Sequence, residues 1–254
     1  ISRLLPSLRL LAVRNFSFKV KNYQHGYSDI YNLNFSLSRG QNLQESNIGK
    51  SIYSSRERPK FYKLVLPTNF SKYGNFTKIE YLGNPNYLKT LNKGEIIFGA
   101  EATFRSVVIC EDKDNYITNI HGVTLYNKNL TLSIFVKCFL DYLVYNSIID
   151  CIKVGGNGGS FAQKYWHNIY FPKFPVEKQK EIAKLYHNPE NYYQTNIFTL
   201  NNFLEQDNLF NQTAGIYELD KTAKQLKQIL NQAIENIIND KPVTINFNPE
   251  YTSI

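Results

Sequence analysis

The strongest constraint in this 254-residue sequence lies near its end, where Ile216, Leu219, Ala223, Leu226, Leu230, Ala233 and Ile237 step by 3, 4, 3, 4, 3 and 4 residues. An α-helix turns once every 3.6 residues, so this spacing collects the side chains into one narrow stripe, the a/d seam of a coiled coil. Such a helix needs a partner. The small Ala223 and Ala233 let two backbones approach, while Lys221, Lys224, Gln225, Lys227 and Gln228 keep the other faces wet. The alternative is an amphipathic helix lying on its own domain, with Ile229, Ile234 and Ile238 widening the stripe.

The whole chain is 43% hydrophobic and 15% aromatic, enough apolar surface for one core and a satellite element. Twenty-nine Lys and Arg against 21 Asp and Glu leave a net charge of +8, which favours polyanionic partners, nucleic acid first. Charge alone does not decide this, because the abundant Asn, Ile, Lys and Tyr also suit an AT-rich genome. Cys110, Cys138 and Cys151 match neither a zinc knuckle nor a redox pair and read as reduced core residues of a cytoplasmic protein. No stretch is long and apolar enough to span a membrane, and the start lacks the order of a signal peptide. A chain that opens at Ile1 and contains no methionine is expected to be a piece of a longer one.

Periodicity predicts an α+β fold: a mixed β-sheet domain with flanking helices, followed by the long C-terminal coiled-coil helix. Strand structure is expected from about Asn15, where Phe16, Phe18 and Val20 alternate. A strand should end around Leu64 to Pro67, since proline cannot continue a central ladder. Gly94–Gly99 and Ser106–Cys110 read as a strand pair, and Tyr116–Ile120 as a further strand. Leu132–Ile148 has helical spacing, with Asn129 or Thr131 as cap. Four glycines in Gly155–Ser160 force a loop. Ile169–Pro172 reads as a short strand, Pro175 opens a helix, and 188–211 reads as an irregular connection. The expected domains are 1–211 for the sheet domain, 212–240 for the helix and 241–254 for a tail.

Catalysis finds little support. An amino-methyltransferase needs an Asn/Asp-Pro-Pro-aromatic loop, and Asn84-Pro85-Asn86-Tyr87 lacks the second proline, so it reads as a structural turn. Glu111, Asp112 and Lys113 have no upstream carboxylate on a strand with which to hold a nuclease metal, and read as solvent-facing. His25, His121, His167 and His187 show no ligand spacing, and the glycine loop lacks the P-loop pattern. No cofactor and no metal are expected.

Several of these segments together resemble a known family. Gly94-Glu95-Ile96-Ile97-Phe98-Gly99, the Ile117-Thr118-Asn119 step before His121, the glycine loop, and above all Phe171-Pro172-Lys173-Phe174-Pro175-Val176-Glu177-Lys178-Gln179-Lys180-Glu181-Ile182-Ala183 are similar to the target-recognition domain of type I restriction-modification specificity subunits. The resemblance is strongest over about 88–187 and at the last helix, and loose over the first 85 residues. It implies a non-catalytic module that reads double-stranded DNA and docks a methyltransferase subunit or domain. It also implies that a second specificity half, or a second copy, pairs with the helix. The module would be a half-subunit, the C-terminal half of a full subunit, or the specificity end of a fused methyltransferase-nuclease. The competing reading is a non-catalytic coiled-coil interaction module whose basic charge is incidental.

If the chain reads DNA, phosphates would be met by Lys50, Arg56, Arg58, Lys60, Lys63 and Lys164, and base edges by Arg105, His121, Asn157, Ser160 and Gln163. Each has a plainer reading. Loop lysines are commonly solvated surface, Arg105 could pair with Glu101, and His121 could be a buried histidine bonded to backbone. Tyr165 and Trp166 could wedge at DNA, but aromatics beside a glycine loop more often anchor it to the core.

Overall fold

The computed structural model describes residues 20–101, 104–111, 115–152, 163–188 and 201–243. Ten short strands are formed among them: β1 Tyr27–Ser28, β2 Ser36–Arg39, β3 Ile52–Ser54, β4 Tyr62–Leu64, β5 Glu80–Gly83, β6 Ile96–Gly99, β7 Ser106–Val108, β8 Tyr116–Ile117, β9 Gly122–Tyr126 and β10 Phe171–Pro172. The α-helices of the described residues are α1 Glu45–Ile48, α2 Leu130–Tyr145, α3 Ile148–Ile152, α4 Val176–Tyr186, α5 Phe203–Thr213 and α6 Ile216–Ile238. The mixed α+β class expected from periodicity is what forms. Two compact units divide the chain, Ile1–Ala183 and Lys184–Ile254, and the division falls within α4.

In the first unit, one four-stranded sheet has the order β2-β9-β6-β7 and is antiparallel throughout. Its inner strand β6 is flanked on both sides and entirely buried, which is why it reads as a continuous apolar run rather than an alternating one. The second sheet has the order β3-β5-β4-β8, with β8 parallel to β4. A third pairing joins β1 to β10. The two larger sheets meet where the chain passes from β8 to β9. There Gln41 bridges Asn119, the Gly40 N–H donates to the Gly122 carbonyl at 2.9 Å, and the Thr118 hydroxyl donates to the Val65 carbonyl at 2.7 Å. A Cβ on Gly40 would lie 2.1 Å from the Asn119 carbonyl oxygen, so only glycine fits this crossing.

Helix α2 starts where Asn129 accepts the Leu132 N–H at 3.1 Å, the expected cap. It packs on β7 and buries Ile134, Phe135, Val136, Leu140 and Leu143. It also buries Lys137, whose ammonium lies 2.6 Å from Asp141, and Asp141 accepts the Ser106 hydroxyl of β7 at 2.6 Å. The helix ends sooner than the expected Ile148, because Ser147 adopts a left-handed φ of 59° that breaks it from α3. Trp166, in the 3-10 helix Gln163–Asn168, is buried and meets Phe98 edge-on at 5.3 Å. That is the anchoring role weighed for it above.

Other expectations need correction. Val20 and Lys21 are helical rather than extended, and the rest of the strand expected from Asn15 lies outside the described residues, as does the glycine loop. Of the irregular connection expected over 188–211, residues 189–200 lie outside the described residues, and from Phe203 the chain is helical, in α5. Its Leu204 and Leu209 stay exposed and Phe210 is buried, so the helix shows no apolar stripe to read. The strand expected over Tyr116–Ile120 stops at Ile117, and a separate strand, β9, follows over Gly122–Tyr126.

In the second unit, the start of α6 is fixed around Glu218. Its carboxylate accepts the Gly215 N–H at 2.8 Å and pairs with His187, while the Asn188 amide donates to the Thr213 carbonyl at 3.0 Å. A Cβ on Gly215 would lie 2.4 Å from the Tyr186 carbonyl oxygen. No residue of α6 is buried. Ile216, Leu219, Leu226, Leu230 and Ile237 of the seam are 47% to 62% exposed, Ala223 is exposed and Ala233 half-buried.

Candidate nucleic-acid interface

Strands β3 and β4 both pair antiparallel with β5, so they run parallel to each other and the link 55–61 must cross the sheet between them. The crossing has one tight point: a Cβ on Gly83 of β5 would lie 2.6 Å from the Phe61 ring. Glycine there lets the ring lie against the strand. At the other end of the link the Ser54 hydroxyl accepts the Arg56 N–H at 3.1 Å and donates to the Arg56 carbonyl at 2.8 Å. Held at both ends, the loop carries Arg56, Arg58 and Lys60 exposed, with Lys50 exposed just ahead of β3. Lys60 follows Pro59 with φ of +65°, a conformation uncommon for a side-chain-bearing residue. The Arg58 guanidinium stands 5.7 Å from the Phe61 ring centroid. Lys63 differs from these: it belongs to β4, its side chain is 22% exposed, and its ammonium lies 3.9 Å from Glu57 and 5.7 Å from the Tyr116 ring.

Two of the base-edge candidates, Arg105 and His121, lie at the end of the other large sheet. The Arg105 carbonyl accepts the Gly99 N–H at 2.8 Å and the His121 carbonyl accepts the Ala100 N–H at 3.2 Å, which sets the two residues on either side of the β6 terminus. Arg105 is exposed but donates from Nη1 to the Phe70 carbonyl at 2.7 Å. Glu101, the partner the sequence offered it, pairs instead with His121, Oε2 to Nδ1 at 2.7 Å. His121 is therefore not a buried histidine bonded to backbone, since its side chain is 51% exposed. Asn157 and Ser160 lie outside the described residues, and Gln163 and Lys164 open the 3-10 helix that carries Trp166.

A groove of about 310 Å³ is lined by His121 and Asn119 from the crossing, Gln41 and Gln44 after β2, Tyr53 of β3 and Glu80 of β5; alternation along β4 sets it on the face of the second sheet opposite Lys63 and the crossover loop. Sequence reasoning missed the two glutamines. Nothing marked them in a stretch rich in Asn and Ser. Gln41 is committed: its amide donates to the Lys89 carbonyl at 2.8 Å and accepts the Lys89 N–H at 2.9 Å. The Asn84–Tyr87 segment is the structural turn expected, with the Asn84 side chain accepting the Asn86 N–H at 2.8 Å and donating to Ser51 at 2.8 Å.

Among the described residues no group of three His, Cys, Asp or Glu side chains could hold a metal ion, and no helix is long and apolar enough to cross a membrane. Burial pushes the Cys138 thiol up to about 12, so at pH 8 roughly one molecule in ten thousand carries its thiolate. We expect iodoacetamide to spare Cys138 in the native protein and to label it once urea unfolds the chain, read by peptide mass. The unfolded thiol ionises first, so its contribution to stability should fall as pH rises from about 9 towards 12.

No protein-family model matches the chain, and no curated protein does. Solved structures do match. One is of a type I R-M system, at 14% identity and a TM-score of 0.46, covering 90% of this chain and 52% of that one. Another is the S subunit of a type I restriction-modification system from M. genitalium, at 12% and 0.46, covering 85% and 45%. A third is the type IIG restriction endonuclease BpuSI, at 9% and 0.49, covering 70% and 28%. The likeness runs to restriction-modification proteins. The chain spans about half the length of the first two, 52% and 45%. All three TM-scores lie below 0.5, so what the chain does has to be argued from its own residues.

Proposed function

We propose that this chain reads double-stranded DNA by sequence, as a specificity half-subunit or module of a cytoplasmic restriction-modification enzyme. In this reading it has no catalytic centre of its own, and methyl transfer and cleavage belong to its partners. The observation that carries the proposal is the solvated cationic loop, Arg56 to Lys60, held at both ends over β5, on the sheet whose opposite face walls the groove at His121. The motif resemblance of Phe171–Ala183 agrees with it.

Phosphate contacts fix a protein's register on the duplex, and contacts to base edges carry the sequence information. Lys50, Arg56, Arg58 and Lys60 supply the first, and Lys164 would join them. Lys63 supplies charge from beneath. For the second, Glu101 holds Nδ1 of His121 and so sets the ring with Nε2 turned to a base acceptor or donor. Arg105 has committed Nη1 to Phe70, and the remaining N–H groups of its exposed guanidinium are the donors that suit guanine. Asn157, Ser160 and Gln163 would read neighbouring positions. The apolar seam of α6 pairs with a second specificity half or a second copy, and the paired helices dock the methyltransferase.

The test is retention of a randomised duplex library by the chain, with and without its methyltransferase subunit, at about 50 and about 200 mM salt. With four phosphate contacts, binding of random sequence should weaken roughly a hundredfold between these salts, while a short fixed motif survives. The triple variant Arg56→Gln/Arg58→Gln/Lys60→Gln should flatten that dependence to a few-fold. Binding that stays sequence-blind with the methyltransferase present would instead favour the coiled-coil interaction module.

A further inference from the structure

Glu101 and His121 meet because of how two strands end. Gly99 of β6 pairs with Gly122 of β9, and a Cβ on Gly122 would lie 3.0 Å from both Ile97 and Thr118, so the strands close tightly there. One step further the Ala100 N–H donates to the His121 carbonyl, and the His121 N–H donates to Asn119 Oδ1, each at 3.2 Å. The backbone of His121 is thus held on both sides. Glu101, two residues past β6, accepts from its Nδ1 at 2.7 Å. The two side chains stay 51% and 40% exposed, so the pair is open to a ligand.

A carboxylate accepts hydrogen bonds and has none to give. The Nδ1 hydrogen is therefore committed to Glu101, and in the uncharged ring Nε2 carries the lone pair. We propose that Glu101 in this way sets the class of base that His121 reads: Nε2 accepts from an exocyclic amino group, which adenine offers at N6 and cytosine at N4 in the major groove. Guanine and thymine are rejected at that position, because N7, O6 and O4 are themselves acceptors and would leave Nε2 facing a second lone pair. Glu101 touches no base and is a positioning residue. Arg105, on the other side of the β6 terminus, carries donors only, so the two residues divide the polarities of a base edge between them. The inference rests on the DNA-reading proposal above and narrows it to a chemical group.

The wild type, His121→Ala and Glu101→Gln should each be selected against the randomised duplex library, with the methyltransferase subunit present and at about pH 8.5, which favours the uncharged ring. One position of the wild-type motif should lose its preference in His121→Ala, and in the wild type that position should hold adenine or cytosine. An analogue lacking only the exocyclic amino group there should weaken wild-type binding roughly threefold to tenfold and leave His121→Ala binding as it was. The amide of Glu101→Gln can donate to Nδ1 as well as accept from it, so this variant should admit guanine or thymine at that position alone. A merely structural role for Glu101 would weaken every position alike. Guanine or thymine at the His121-dependent position of the wild type overturns the assignment, as does a preference that survives either variant unchanged; in both cases the recovered motif leaves the DNA-reading function standing. Recovery of no motif by the wild type overturns that function, and this assignment with it.

Discussion

Replacing Asp141 with alanine should lower the stability of the first unit by about 3 kcal/mol, read as a fall in the urea midpoint at unchanged slope. The cause lies on α2. Lys137 sits with its side chain 2% exposed and its ammonium 2.6 Å from the Asp141 carboxylate. Removing the carboxylate takes a counter-charge away from a buried ammonium, which costs more than the pair contributes when intact. The Ser106 hydroxyl, which donates to Asp141 at 2.6 Å, loses its acceptor at the same time. A compensating Lys137→Met change in the Asp141→Ala background should restore most of the loss, because an apolar side chain of similar length belongs in that position. A loss under about 1 kcal/mol for the single variant would mean that the Lys137 ammonium reaches water once released, and that the α2–β7 contact is held by apolar packing alone.

Trp166→Ala should cost about 3–5 kcal/mol, the larger of the two effects. Trp166 is fully buried, and its ring meets the equally buried Phe98 of the central strand β6 edge-on at 5.3 Å. Phe98 in turn stacks with Phe104 at 6.2 Å. Truncation opens a cavity in the middle of this cluster that so rigid a surround fills only in part. Because the sequence contains one tryptophan, the wild type supplies its own probe: fluorescence should shift to the red in one step as the first unit unfolds. Addition of DNA should leave that emission unchanged, whereas a tryptophan wedged into a duplex would be quenched. Quenching would return Trp166 to the interface and sink the anchoring role.

Legibility in the sequence followed the physics of each element. The α6 seam was readable because its period belongs to one helix and needs no knowledge of the rest of the fold. The β6–β7 pair was readable because a strand covered on both faces is apolar at every position. Helix α5 was not, since only Phe210 among its described apolar side chains is buried and two leucines face water. The crossing of the two sheets was invisible for a different reason. Apart from the Thr118 hydroxyl bond to Val65, it is made by backbone groups of Gly40, Gln41, Thr118 and Asn119, and backbone pairing leaves no mark in residue type except the glycine. The same applies to the candidate site. Positive charge could be counted along 50–63, but that Lys63 lies under the loop and the others above it depends on β4 pairing with β5 and β8. The exchange of partners that gives Glu101 to His121 and Phe70 to Arg105 depends equally on how β6 ends.

Phe61 resting on Gly83, together with the Ser54 turn at the other end, makes the crossover a span supported at both abutments. The strands it links are registered by β5 and not by the span itself. Residues 55–60 can therefore be rewritten, in charge and in shape, with little effect on the sheet beneath, because none of them carries a ladder bond or a buried side chain. A family of chains sharing this scaffold could change what its loop touches by local substitution alone, while Gly83 and an aromatic at position 61 would have to persist together.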